Sequence, residues 1–231
     1  MSKKVFIGVG HGGIDPGAQA NGFREKDVNL DIAKACGAEL ARHGVDVKYS
    51  RLKDENDPLS EEIRECNLYR PDVALDIHNN AGGGDGIEVY HSKVRGTGER
   101  LAKNIITEVC AQTGQNSRGT KTKLNSQGSD YFGFIRGTAA PAVIVECAFM
   151  DSSDIQIIDT YAERVAMGVA VAHGVLRTLG LAVVPVAKPE VKPAGGKYYR
   201  VQVGAYVDKA NADKILKKLK EQGYDAIIKY S

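Results

Sequence analysis

The sequence predicts an α/β protein: a mainly parallel, twisted sheet flanked by helices, with a small C-terminal β-α-β unit after it. Three observations lead there. Apolar runs of strand length alternate with longer segments whose apolar residues recur every three to four positions. Several of those runs end on a histidine or a carboxylate, and open parallel sheets build their sites at strand ends. A segment with three of the seven prolines then separates the first 180 residues from a short basic tail.

The elements follow in order. KVFIGVG is a short apolar strand running into Gly10-His11-Gly12-Gly13. The stretch from Lys26 to Gly44 is a helix with Val28, Ile32, Cys36 and Leu40 on one stripe. Gly44 is its stop, and His43 lies in its last turn. VDVKYSR is a second strand. Ser60 is placed to cap a helix running to about Tyr69, which Pro71 ends. VALDIHN is a third strand, GIEVYHS a fourth, and residues 98–113 a helix carrying Leu101, Ile105 and Val109. YFGFIR and AVIVECAF read as further strands, and Ile155 to Leu179 as one long closing helix. Residues 181–196 place prolines four apart and end in Gly-Gly, an extended spacer. In residues 197–231 a strand around Tyr199, Val201 and Val203 precedes a helix with Ala212, Ile215, Leu216 and Leu219 on its apolar face, and DAIIKY is the last strand. The expected division is therefore 1–180, 181–196 and 197–231.

Composition narrows the class. A hydrophobic share of 42% and a charged share of 26% are those of a globular protein. No apolar run approaches membrane-spanning length, so no membrane insertion is expected. Too few residues precede His11 for a signal-peptide core, so the expectation is synthesis in the cytoplasm without a signal. The net charge of +2 hides an asymmetry, because residues 197–231 hold eight basic against four acidic residues. A basic tail suits a polyanion, but the base-reading elements of a nucleic-acid binder are missing. Cys36, Cys66, Cys110 and Cys147 form no CxxC pair, which argues for reduced thiols rather than a thiolate metal site. Cys147 has no local histidine partner and is not read as a nucleophile.

The chemistry concentrates on four residues. Glu146 is the carboxylate of the apolar run 142–149, His78 ends another, His11 sits among glycines that permit close ligand approach, and Glu25 opens the first helix. Two imidazoles and a carboxylate suit Zn²⁺ with an open fourth position. A further carboxylate beside such a metal is the usual general base, the role expected of Glu146. His43 and His173 read as structural, and His91 as an exposed reserve ligand. GVGHGG lacks the residue order of a dinucleotide loop or a P-loop, so phosphate binding is set aside.

VGVGHGGIDPGAQANGFREKDVNLDIA, LDIHNNAGGGDGIEVY, Arg118-Gly119-Thr120 and PAVIVECAFMDSSD, in this order, resemble the zinc-dependent N-acetylmuramoyl-L-alanine amidases of bacterial and phage cell-wall lysis. The resemblance covers about residues 3–180. It implies His11, Glu25 and His78 as metal ligands, Glu146 as the catalytic glutamate, and peptidoglycan as substrate. Gly8-Val9 stand where that family usually has Asp-Pro, which points to altered loop stiffness. Glu88, Arg118 and Arg136 are candidate substrate contacts, Glu88 equally a group behind the ligands or a solvent-facing one. The tail resembles half of a peptidoglycan-binding SPOR repeat, and half a repeat implies a homodimer through 197–231. Two alternatives remain at this level: a zinc carboxypeptidase on stem peptides, and a catalytically dead wall-binding protein. A chain without a signal would reach the wall through a holin or when the cell that made it lyses.

Overall fold

The computed structural model describes residues 2–184, 204–221 and 226–228. The chain forms two compact units, Met1–Val183 and Val184–Ser231.

In the first unit, β1 (Lys4–Val9) leads through a hairpin of β2 (Gln19–Ala20) and β3 (Phe23–Arg24) into α1 (Glu25–Arg42). Then come β4 (Asp46–Tyr49), α2 (Leu59–Tyr69), β5 (Val73–Asn80), β6 (Ile87–His91), α3 (Thr97–Thr113), β7 (Ser117–Lys121), α4 (Gly133–Gly137), β8 (Ala142–Phe149) and α5 (Tyr161–Thr178). The six long strands make one sheet in the order β4-β1-β5-β8-β6-β7. Neighbours run parallel except β6 against β8, which are antiparallel.

The central strands are almost wholly apolar because both faces of the sheet are covered. On one face α1, α3 and α5 pack together over Val5, Ile7, Leu75, Ile77, Val143 and Val145. On the other, Phe6, Ala74 and Ile144 meet Cys66 of α2 and Phe134 and Ile135 of α4. Each fully buried Ile, Leu or Phe in these layers contributes about 1.5–3 kcal/mol over the exposed side chain.

The expected α/β sheet is present, with local corrections. YFGFIR is not a strand: Gly133–Gly137 form a short helix that buries Phe134 and Ile135 side by side. A six-residue apolar run does not distinguish strand from helix. The closing helix is interrupted. A 3-10 turn, Ser153–Ile157, ends before Thr160, whose side chain caps α5 in a capping box with Glu163. The helix α2 starts at Leu59 rather than after Ser60, with Pro58 as its extended N-cap. The strand β7 and the β2–β3 hairpin were not foreseen.

In the second unit, α6 (Lys209–Glu221) carries Ala212, Ile215, Leu216 and Leu219 half-buried among exposed neighbours. The strand expected at 197–203 and the Pro-rich spacer from 185 onward lie outside the described residues. Residues 226–228, expected in the last strand, are not in a strand; the rest of DAIIKY lies outside the described residues.

Candidate active site

His11 follows β1 in the left-handed region, with φ of 63°, a conformation that a non-glycine residue adopts only when its surroundings hold it there. Asp15, four residues on, accepts through Oδ2 from His11 Nδ1 at 2.8 Å. The other ring nitrogen, Nε2, lies 3.1 Å from Glu25 Oε2. His78, near the end of β5, places Nδ1 3.0 Å from Glu25 Oε1 and Nε2 3.1 Å from Asp76 Oδ2. Gly10 makes room for that imidazole: a Cβ there would sit 2.2 Å from the His78 ring. His11, Glu25 and His78 thus bring one donor atom each within 4.8 Å of one another.

The carboxylate of Glu25 is buried and held from all sides. Its Oε2 accepts from the Ala18 N–H, and its Oε1 from the Asn79 N–H and from Asn29 Nδ2. Burial opposes its charge, but the hydrogen bonds from His11 and His78 outweigh burial and hold its pKa well below the usual carboxylate range. Burial likewise opposes charge on His78, yet Asp76 and Glu25 push its pKa well above the imidazole range. His11 is raised as well, chiefly by Glu25. An unusually acidic carboxylate between two imidazoles, each with its second nitrogen on a carboxylate, is a donor set that fits a zinc ion.

Glu146 stands beside this triad. In the sheet register it pairs with His78 on one side and Glu88 on the other. Paired residues on adjacent strands face the same way, so the three form a row across one face. Glu146 Oε2 is buried without a hydrogen-bond partner, and burial raises the group to about 7. A carboxylate titrating near neutrality in a cleft is suited to take up and return a proton. The cleft, about 540 Å³, is lined by His11, His78 and Glu146 and walled by Ile14, Pro58, Leu59 and Phe132.

The other expected residues fall differently. Glu88 is not solvent-facing: it is 3% exposed, with Oε1 accepting from Asn80 Nδ2 and the Tyr90 hydroxyl and Oε2 from Arg118 Nε and Lys121 Nζ. Arg136 directs Nη1 at the carbonyls of Asp130 and Tyr131, bracing its own loop. His91 is buried rather than exposed, with Nδ1 on the Ser92 carbonyl. It lies at the opposite end of β6 from Glu88 and does not join the triad. His43 and His173 both lean on Glu39 of α1. The Cys147 thiol is buried and pushed far above its usual pKa by that burial, which rules against a nucleophile.

Sequence reasoning passed over Asp15 and Asp76, although each left a signal. Asp76 is a lone carboxylate two residues before His78 in an apolar strand, hence on the same face. It also missed Arg51, whose guanidinium donates to the carbonyls of Val9, Gly10 and Lys26.

Residues 5–177, most of the chain, match the N-acetylmuramoyl-L-alanine amidase family. The chain belongs to that family. Residues 174–230 match the SPOR domain. Over 229 residues the chain is 32% identical to the sporulation-specific N-acetylmuramoyl-L-alanine amidase of Bacillus subtilis (strain 168), covering 97% of this chain and 84% of the relative. It is 33% identical to the endolysin of Bacillus phage SPP1, covering 85% of this chain and 74% of the phage protein. Among solved structures, Cwp6 from Clostridium difficile superimposes with a TM-score of 0.76 at 34% identity, covering 78% of this chain and 30% of that one. The amidase is thus a hydrolase acting on peptidoglycan, and among the described residues no helix is long and apolar enough to cross a membrane.

Proposed function

We propose that the amidase is zinc-dependent, that it cuts the amide between N-acetylmuramic acid and L-alanine, and that this cut lyses the wall. The convergence of His11, Glu25 and His78 beside an unpaired Glu146 carboxylate carries the reading. His11, Glu25 and His78 would hold the zinc, which when bound supplies Lewis acidity at the scissile carbonyl and an acidified water. Asp15 and Asp76 fix the two imidazoles by their outer nitrogens. Glu146, near neutrality, accepts a proton from the attacking water and returns it to the nitrogen of the departing L-alanine. The apolar walls of the cleft exclude bulk water from that transfer.

The test is mass spectrometry of digests of defined peptidoglycan, with the zinc-loaded chain, with chelator, and with Glu146→Gln. New peptides with an L-alanine amino terminus are expected from the first alone. Release of single C-terminal residues instead, or full activity in chelator, overturns the reading. The basic C-terminal segment holds the amidase on the wall, and pairing of two such segments makes it a homodimer. Light scattering that returns a monomer for the full chain removes the pairing.

A further inference from the structure

On the proposed cleavage site, the structure assigns a specificity subsite: Arg118 and Lys121 bind the free α-carboxylate of the second stem-peptide residue, a γ-linked glutamate. The inference rests on the amidase reading above and adds which end of the substrate lies where.

The row His78–Glu146–Glu88 continues onto β7. Ile87 pairs with Ser117 and Val89 with Thr120, so Glu88 faces the irregular step at Arg118 and Gly119. Two strand spacings separate β7 from β8, about 10 Å in all. Arg118 Nε lies 2.7 Å from Glu88 Oε2, and Lys121 Nζ meets the same oxygen. Two cations therefore share a single buried carboxylate, and the next acid acting on Arg118 is Asp85. Both are partly exposed, at 38% and 32% of their side chains. Glu88 occupies only Nε of Arg118. Among the described residues its two Nη groups, the fork that suits a carboxylate, have no hydrogen-bond partner. The guanidinium plane is held in place against the Phe149 ring, 4.9 Å from its centroid.

The reach agrees with the substrate. An extended chain advances about 3.3–3.6 Å per residue, so the α-carboxylate of the second residue lies about 7 Å from the scissile carbonyl. The Arg118 side chain covers the remainder of the 10 Å. The opposite flank is the more acidic one, because Asp15, Asp57 and Asp76 line the cleft beyond His78. The peptide accordingly leaves the site over β6 and β7, and the sugar side rests against Ile14, Pro58 and Leu59.

The experiment compares two synthetic substrates, muramoyl-L-alanyl-γ-D-glutamate and the same compound with the α-carboxylate amidated, using the zinc-loaded full chain. The expected kcat/KM ratio favours the acid by about tenfold, the worth of one charged hydrogen-bonded contact. In the variant Arg118→Gln/Lys121→Gln the ratio falls to about one, whatever the absolute rates. A merely structural role would lower both substrates together and preserve the ratio. An equal rate on both substrates with the unaltered chain, or a preference for the amide, overturns the subsite and leaves the amidase reading standing. Failure to cut either substrate or whole peptidoglycan overturns the amidase reading itself.

Discussion

Replacing Arg51 tests whether the two loops that carry His11 and Glu25 are held together by one side chain. Arg51 is 3% exposed and donates to the carbonyls of Val9 and Gly10, which precede His11, and of Lys26, which follows Glu25. Hydrogen bonds to a charged group contribute about 1.5–3 kcal/mol each, so three amount to about 4.5–9 kcal/mol. Burial of the guanidinium opposes this and lowers its pKa from the usual value. That desolvation offsets several kcal/mol. The net loss expected for Arg51→Ala is about 2–4 kcal/mol, far above the roughly 0.5 kcal/mol of a surface change. For a domain of this size it lowers Tm by about 4–16 °C.

Arg51→Lys keeps the charge but cannot fork between three carbonyls, so it recovers little. Because the bonds flank two ligands, zinc affinity measured by chelator competition should fall about 10–100-fold in both variants, the range seen for groups that orient metal ligands. Thermal melts of the chelated protein supply the stability term. Unchanged melting and unchanged zinc affinity in Arg51→Lys would refute the clamp. A lower Tm with wild-type affinity would reduce Arg51 to packing.

Two further outcomes follow from the same site. Burial raises Glu146 from 4.5 to about 7, so the folded chain binds an extra proton between those values and loses stability as pH rises through them. Metal-free Glu146→Gln, lacking that titration, should match wild type near pH 4 and exceed it above pH 7 by up to about 3 kcal/mol; denaturant titrations showing no pH-dependent gap would contradict this. Gly8→Ala sets strand propensity, worth about 0.5–1 kcal/mol in favour of alanine, against a Cβ that would lie 2.0 Å from Glu62 Oε1 and 2.8 Å from Asp76 Oδ1. Overpacking of about 1–3 kcal/mol wins, and Glu62→Ala should relieve it, so additive effects in a double-mutant cycle would refute the collision.

The candidate metal triad was legible because it obeys rules that act over short stretches of chain. His11 follows the parallel strand β1, His78 lies near the end of β5, and both follow mainly apolar runs. Glu25 is legible for the same reason, as the first residue of a periodic helix. The groups that tune these ligands were less legible, since their partners are distant in sequence. Arg51 is 25 residues from Lys26 and 42 from Val9. The Gly8 departure is understandable only in three dimensions. The space left by the missing side chain is filled by Glu62 from α2 and Asp76 from β5, whose facing oxygens are both buried and unpaired.

The misplacing of His91, and the solvent-facing alternative for Glu88, have one cause, the direction of β6. In a wholly parallel sheet every strand would deliver its last residues to the site, and His91 would lie beside Glu146 while Glu88 stood away from it. The structure reverses β6, and β7 with it, against β8, so the register runs Glu88 with Glu146 and His91 with Val143. Nothing in IEVYH encodes the reversal, because an apolar strand of five residues reads the same in either direction. Its effect is chemical. It brings a second acid to the catalytic row, and that acid would oppose Glu146 if it were unpaired. Arg118 and Lys121 hold Glu88 ionised, with its pKa below the usual range despite burial. The one antiparallel pairing in the sheet thus gives the row a polarity, with the proposed metal ligand His78 at one end and the proposed carboxylate receptors Arg118 and Lys121 at the other.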